Sequence, residues 1–215
     1  MAKVITSDEA AALVNNGDTI LVGGFMAIGT PETIIDALVR KNIQDLTLIC
    51  NDTALPDRGV GKLVVNRQLK KLLASHVGTN KETGRQMAAG ELDVELNPQG
   101  TLVERIRAGG VGLGGFYTPT GVGTAVAEGK ESRVFNDREM ILETPLRGRV
   151  AFLRAFIGDT HGNLRYRGTA RNFNLVMAFA ADIVIAEVDN LIDFMDPEEV
   201  VTPGVLVDYI VRSGR

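Results

Sequence analysis

The sequence predicts an α/β protein, a single domain over residues 1–215 built on an open, mostly parallel sheet with helices on both faces. Three observations predict it. Helical and strand-like patterns alternate along the chain, and that alternation implies parallel strands covered by the helices between them. An apolar strand, Ile20-Leu21-Val22, runs straight into Gly23-Gly24-Phe25 and then Gly29-Thr30-Pro31 at the head of a helical pattern. Finally, 215 residues, 45% of them hydrophobic, suffice for one large core and are marginal for two.

Taken in order, a helix is expected from Ser7 to Asn15, after a polar start that suits a capped N-terminus. A strand follows from Thr19 to Gly23. The next helix runs from Pro31 to Lys41, where Ile34, Ile35, Leu38 and Val39 repeat at helical spacing. Thr30 suits its N-cap and Pro31 its first turn, since proline has no N–H to satisfy there. The pattern continues with a strand from Leu46 to Cys50, a short helix near Gly61 to Asn66, and a strand from Lys70 to Ser75. A helix from Lys81 to Ala88, a strand from Leu92 to Leu96 and a helix from Gly100 to Ala108 complete the first half. Residues Gly109 to Gly129 are dense in glycine and contain Pro119, so irregular, closely approaching backbone is expected. Beyond them stand a hairpin-like pair, Arg133 to Phe135 and Glu139 to Glu143, a strand from Val150 to Ala155, a helix from Asn172 to Ala181 and a strand from Ile183 to Glu187. The C-terminal run Val205 to Val211 reads as an edge strand suited to a subunit contact.

Composition removes several classes of function. A formal charge of -4 argues against nucleic acid as the main partner. No run of about 18 apolar residues occurs, so no membrane span is expected, and the N-terminal residues lack signal-peptide anatomy, which points to the cytoplasm. Cys50 is the one cysteine, so neither an internal disulfide nor a thiolate zinc site can form, and it reads as a buried strand residue. His76 and His161 lack a clustered third ligand, so no metal is expected.

In an open parallel sheet, ligands gather at the carboxyl ends of the strands. Those ends carry Gly23-Gly24, Asn51-Asp52, Ser75-His76 and Pro98-Gln99. The paired glycines let main-chain N–H groups approach a ligand, and the following helix start attracts anions. No Lys-Ser/Thr follows them, which excludes a Walker loop, and their spacing fails the dinucleotide pattern. The string Gly110-Val111-Gly112-Leu113-Gly114-Gly115 matches that pattern in letters alone, but it follows a helix and precedes Pro119. A turn that serves packing only remains the alternative for Gly23-Gly24.

The segment Asn16 to Pro31 resembles the signature of the α subunit of the two-subunit 3-oxoacid/short-chain CoA-transferases. Glu91-Leu92-Asp93-Val94-Glu95-Leu96-Asn97-Pro98-Gln99-Gly100-Thr101-Leu102-Val103-Glu104 is similar to the same subunit, as are Gly78-Thr79-Asn80, Phe116 to Thr124, Ala170-Arg171-Asn172-Phe173-Asn174 and Thr202-Pro203-Gly204-Val205. The resemblance covers almost the whole chain. It implies an enzyme that moves CoA from an acyl-CoA to a free short-chain carboxylate, acetate, butyrate or acetoacetate, with the CoA thioester as substrate and no permanently bound cofactor. A glutamate attacks the thioester to give an anhydride, CoA thiolate converts that to a glutamyl-CoA thioester, and the acceptor acid takes the CoA by the reverse steps. The family's glutamate lies in a Ser-Glu-Asn-Gly context in a β subunit, a string absent here, so a β partner, in an α2β2 assembly, is implied.

The resemblance also assigns Gln99 as an oxyanion donor, and Gly24, Phe25, Met26, Ala27, Ile28, Gly29 and Thr30 as the CoA-binding segment. Gln99 can instead be an N-cap or first-turn residue of the helix from Gly100, and Phe25, Met26 and Ile28 can be core or interface residues. Glu187 is the best internal substitute for the nucleophile, against a plain helix-facing or salt-bridged carboxylate. Two rivals stand beside this reading: a sugar-phosphate isomerase, which needs an acid/base carboxylate and a phosphate clamp at a strand end, and a non-catalytic acyl-CoA sensor.

Overall fold

Strand β2 (Thr19–Val22) alternates strictly, with Ile20 and Val22 in one hydrophobic core and Leu21 in another on the opposite side of the sheet. Period-two side chains on a strand buried on both faces give this division, and β3 (Leu46–Cys50) and β9 (Gly148–Asp159) repeat it. The computed structural model describes residues 2–214. Its main sheet runs β1 (Lys3–Ile5), β12 (Tyr209–Arg212), β11 (Ala181–Ile192), β9, β2, β3, β4 (Leu69–Ala74) and β5 (Asp93–Leu96), all parallel, with β10 (Leu164–Arg165) antiparallel to β9. Helices α1 (Ser7–Ala12), α2 (Glu32–Lys41) and α3 (Gly61–Val65) cover one face. Helices α5 (Gln99–Val111) and α6 (Asn174–Met177) cover the other, and α4 (Lys81–Ala88) packs beside α3. A separate antiparallel sheet contains β6 (Phe116–Thr118), β8 (Arg138–Glu143) and β7 (Ser132–Phe135), in that order. Among the described residues no helix is long and apolar enough to cross a membrane, and no group of three or more metal-type side chains gathers.

Expected and observed elements differ in instructive places. Thr6 caps α1, accepting from the Glu9 N–H while the Glu9 carboxylate accepts from the Thr6 N–H, a reciprocal capping box that fixes the start of the helix. Helix α5 runs on to Val111, through glycines expected to be irregular, because Gly109 abuts the Leu146 backbone and Gly110 abuts Phe179. The helix expected over Asn172 to Ala181 shrinks to α6, because Asn172 and Asn174 spend their side chains on the loop after β2. The C-terminal segment is not an edge strand. Residues Gly204–Leu206 form a 3-10 turn, and β12 lies between β11 and the short strand β1, which is itself the edge.

Candidate active site

Strands β2 to β5 run parallel on one side of β9, and β11, β12 and β1 lie on the other, so the order of connection reverses between β2 and β9. A crevice opens at the carboxyl ends of strands at such a switch point. The loop after β2 occupies it. Phe25 and Ile28 exchange backbone hydrogen bonds of 3.0 and 2.8 Å around Met26 (φ 51) and Ala27 (φ 67). This is a type I′ turn built on two non-glycine residues, a conformation costing about 1–3 kcal/mol at each that persists only where its surroundings impose it.

Those surroundings come from two directions. The Asn172 side chain accepts from the Gly24 N–H at 3.1 Å and donates to the Ile28 carbonyl at 2.9 Å, holding both ends of the turn. The Asn174 amide donates to the Gly29 carbonyl at 3.0 Å, and Asp52, at the end of β3, accepts from the Met26 N–H at 2.9 Å. Gly23 and Gly24 are what make this clamp possible. A Cβ on Gly23 would overlap the Asn174 carboxamide, and one on Gly24 (φ 127) would overlap the Thr30 hydroxyl. Gly23→Ala should therefore lower stability by about 1–3 kcal/mol through overpacking; thermal melting of the purified variant reads this out, and an unchanged Tm would show that Asn174 is free to retreat.

Two expectations about this loop are corrected by the geometry. Thr30 is not the N-cap of α2; Pro31 occupies that position and makes no side-chain cap. Nor is the start of α2 open to an external anion. Glu187 of β11, fully buried, accepts from the Thr33 N–H at 2.9 Å, the Ile34 N–H at 3.2 Å and the Thr33 hydroxyl at 2.9 Å, and pairs with Arg154 at 3.0 Å. A carboxylate from the same chain thus serves as the anion favoured at a helix N-terminus. This is the geometry of the helix-facing, salt-bridged carboxylate, the alternative reading of Glu187. Within the loop, the N–H groups of Gly24, Phe25, Met26, Ile28 and Thr30 are satisfied internally, while those of Ala27 and Gly29 take no partner among the described residues.

Gln99 is the first residue of α5, one position earlier than expected, with Pro98 before it and no side chain capping the helix. Its Nε2 donates to the Asn51 Oδ1 at 2.9 Å, and the Ser75 hydroxyl lies 2.7 Å from the same oxygen. Parallel pairing of β3, β4 and β5 brings these three residues together from three successive strand ends. With Phe25, Val103, Thr169, Asn172 and Phe173, Asn51 and Gln99 line a cleft of about 350 Å³. Met26, Ala27, Ile28, Gly29 and Thr30 line a second, larger cleft of about 760 Å³, with Arg58, Arg154 and Arg167 in its wall. Arg154 is held by Glu187 and Asp189, whereas among the described residues no ion pair engages Arg58 or Arg167, and Arg167 lies over the Phe156 ring. The loop after β2 separates the two clefts, so the expected site residues converge on one region, with Phe25 turned to the side of Gln99.

The Gln99 cleft is lined by amides, a hydroxyl and apolar groups and by no carboxylate or lysine. It can donate hydrogen bonds to a developing oxyanion without neutralising a carboxylate brought to it. It holds no acid/base carboxylate and no cation of the kind an isomerase requires at its reacting carbon, whereas the larger cleft has Glu32, Asp57 and Asp189 beside its arginines. Cys50 lies buried at the end of β3, and burial pushes its thiol well above the ordinary range, with Asp52 adding to the effect, so it supplies no thiolate nucleophile. Sequence reasoning noticed Asn51, Asp52 and Ser75 as polar strand ends but gave them no role. Asn172 and Asn174 appeared only in a matching string and in an expected helix, with no role in the loop after β2.

The family model for coenzyme A transferases matches residues 4–213. The acetate CoA-transferase subunit alpha of Escherichia coli (strain K12) is 52% identical over 213 residues, covering 98% of this chain and 97% of that one. The acetoacetyl-CoA:acetate/butyrate CoA transferase alpha subunit of Clostridium acetobutylicum is 49% identical over 214 residues, covering 99% and 98%. Among solved structures, an acyl-CoA transferase of Escherichia coli O157:H7 in a thioester complex with CoA superposes with a TM-score of 0.85 at 22% identity. That match covers 98% of this chain and 47% of the other, so this chain spans about half of it.

Proposed function

The chain belongs to the coenzyme A transferase family, and on that premise we propose that residues 1–215 form the α subunit of a heteromeric enzyme moving CoA between a short-chain acyl-CoA and a free carboxylate such as acetate, butyrate or acetoacetate. The covalent glutamyl-CoA intermediate forms on the β subunit, in a cytoplasmic α2β2 assembly. One observation carries the division of labour: the cleft at Gln99 holds amide donors but no carboxylate. A glutamate entering from the β subunit attacks the thioester carbonyl there, and the Gln99 amide, fixed by Asn51, stabilises the oxyanion formed. Collapse expels CoA thiolate. The thiolate then attacks the glutamyl carbonyl of the anhydride, releasing the donor acid as its carboxylate.

CoA itself lies along the loop Gly24–Thr30 in this reading, with its thioester toward Phe25 and Gln99. The free N–H groups of Ala27 and Gly29 are available to it, and Arg58 and Arg167 offer positive charge to its phosphates in the larger cleft. The test is to purify this chain alone and together with its β subunit, and to follow CoA exchange between acetyl-CoA and butyrate or acetoacetate. Exchange is expected from the pair and not from the chain alone. Exchange catalysed by this chain alone, or none by the pair, overturns the reading.

A further inference from the structure

We propose that Asn51 is a second amide donor of the reaction cleft, acting directly on the acyl oxygen beside Gln99; this rests on the CoA-transferase reading above. An asparagine side chain offers one acceptor oxygen and two N–H donors. At Asn51 the oxygen is fully engaged, by Gln99 Nε2 at 2.9 Å and by the Ser75 hydroxyl at 2.7 Å. Gln99 Nε2 approaches as a donor and sets which end of the Asn51 amide faces it, while the Ser75 hydroxyl shares its one proton between Asn51 Oδ1 and the Asn51 backbone carbonyl at 2.8 Å. Ser75 tightens the grip through its backbone N–H, which donates to the Asn51 carbonyl at 2.8 Å. The Nδ2 end is turned away from Gln99, and it makes no hydrogen bond among the described residues.

An unpartnered amide nitrogen is unremarkable on the surface, but Asn51 is only 3% exposed. Among the described residues the one fully inaccessible side-chain polar atom without a partner is Gln68 Oε1, so Asn51 Nδ2 keeps access to solvent, through the cleft that Asn51 lines. A donor held in place without a protein acceptor stands ready for an oxygen that enters the cleft in place of water. The Gln99 amide has one N–H on Asn51 and one left for the same acceptor, so the two residues present a paired set of neutral donors. Such a pair suits a carbonyl oxygen becoming an oxyanion, since each donor strengthens as charge develops and neither neutralises an incoming carboxylate.

The experiment uses the assembled α and β subunits and measures kcat and KM separately. Asn51→Asp keeps an acceptor for Gln99 and Ser75 but has no N–H; about a hundredfold loss of kcat is expected, with KM for the acyl-CoA changed less than threefold. Asn51→Ala is then made in a Gln99→Ala background, where nothing is left for Asn51 to position. A further loss of kcat of tenfold or more is expected there. If Asn51→Ala has no added effect in that background, Asn51 acts only through Gln99 and the proposal fails; full turnover by Asn51→Asp sinks it equally. A wild-type pair that exchanges no CoA overturns the functional reading and this inference together, whereas an active wild type with unaffected Asn51 variants overturns this inference alone.

Discussion

Gln99→Ala, assembled with the β subunit, should lose about 10²–10³ in kcat, the cost of about 2.7–4 kcal/mol that removal of one oxyanion donor carries in a preorganised site. The structure separates this effect from stability. Gln99 is exposed at the first turn of α5, and its side chain makes one hydrogen bond, to Asn51. Surface truncations of that kind change stability by less than about 0.5 kcal/mol. The Tm of the variant and its assembly with the β subunit are therefore expected to match wild type while turnover collapses. Because the interaction is stronger in the transition state than in the ground state, the loss should fall on kcat rather than KM. A variant that retains full turnover would falsify the catalytic role and leave Gln99 as a helix-start residue.

The location of Gln99 was legible in the sequence for a topological reason. Strand order in an alternating α/β chain puts the ends of neighbouring strands on one rim, so Asn51, Ser75 and Gln99 could be placed together before any coordinates. What was not legible is everything that depends on side chains meeting across the sheet. The partner of the α2 N-terminus lies 154 positions away in sequence, and no local pattern connects Thr33 to Glu187. The same holds for Asn172 and Asn174, 148 and 145 positions from the backbone groups they hold. Helical propensity over Asn172 to Ala181 loses to those contacts, as asparagine side chains compete with the helix for backbone partners. Strand β1 escaped notice because three residues, Lys3 to Ile5, are too few to show a period. The exchange of an expected edge strand for a buried one at β12 follows directly, since it is β1 that covers it.

Glu187 provides the largest expected effect on stability. Its carboxylate, with no solvent exposure, takes the Thr33 and Ile34 N–H groups, the Thr33 hydroxyl and the Arg154 guanidinium, and so ties the middle of β11 to the start of α2 and to β9. Glu187→Ala leaves Arg154 with Asp189 alone and strands two helix N–H groups in the interior. Breaking a buried pair from one side costs about 3–5 kcal/mol, which for a chain of this size lowers Tm by roughly 10 °C. Glu187→Gln keeps an acceptor for the helix and should lose less. Kinetics then discriminate the two roles a buried glutamate can have in a family whose chemistry runs through one. As the cap of α2, Glu187 tolerates the amide with kcat within a few-fold of wild type at temperatures where the variant is folded. As a nucleophile it would not tolerate the amide at all: the Glu187→Gln enzyme, assayed at temperatures where it is folded and assembled, would lose turnover entirely, and that result would move the covalent step from the β subunit to this chain.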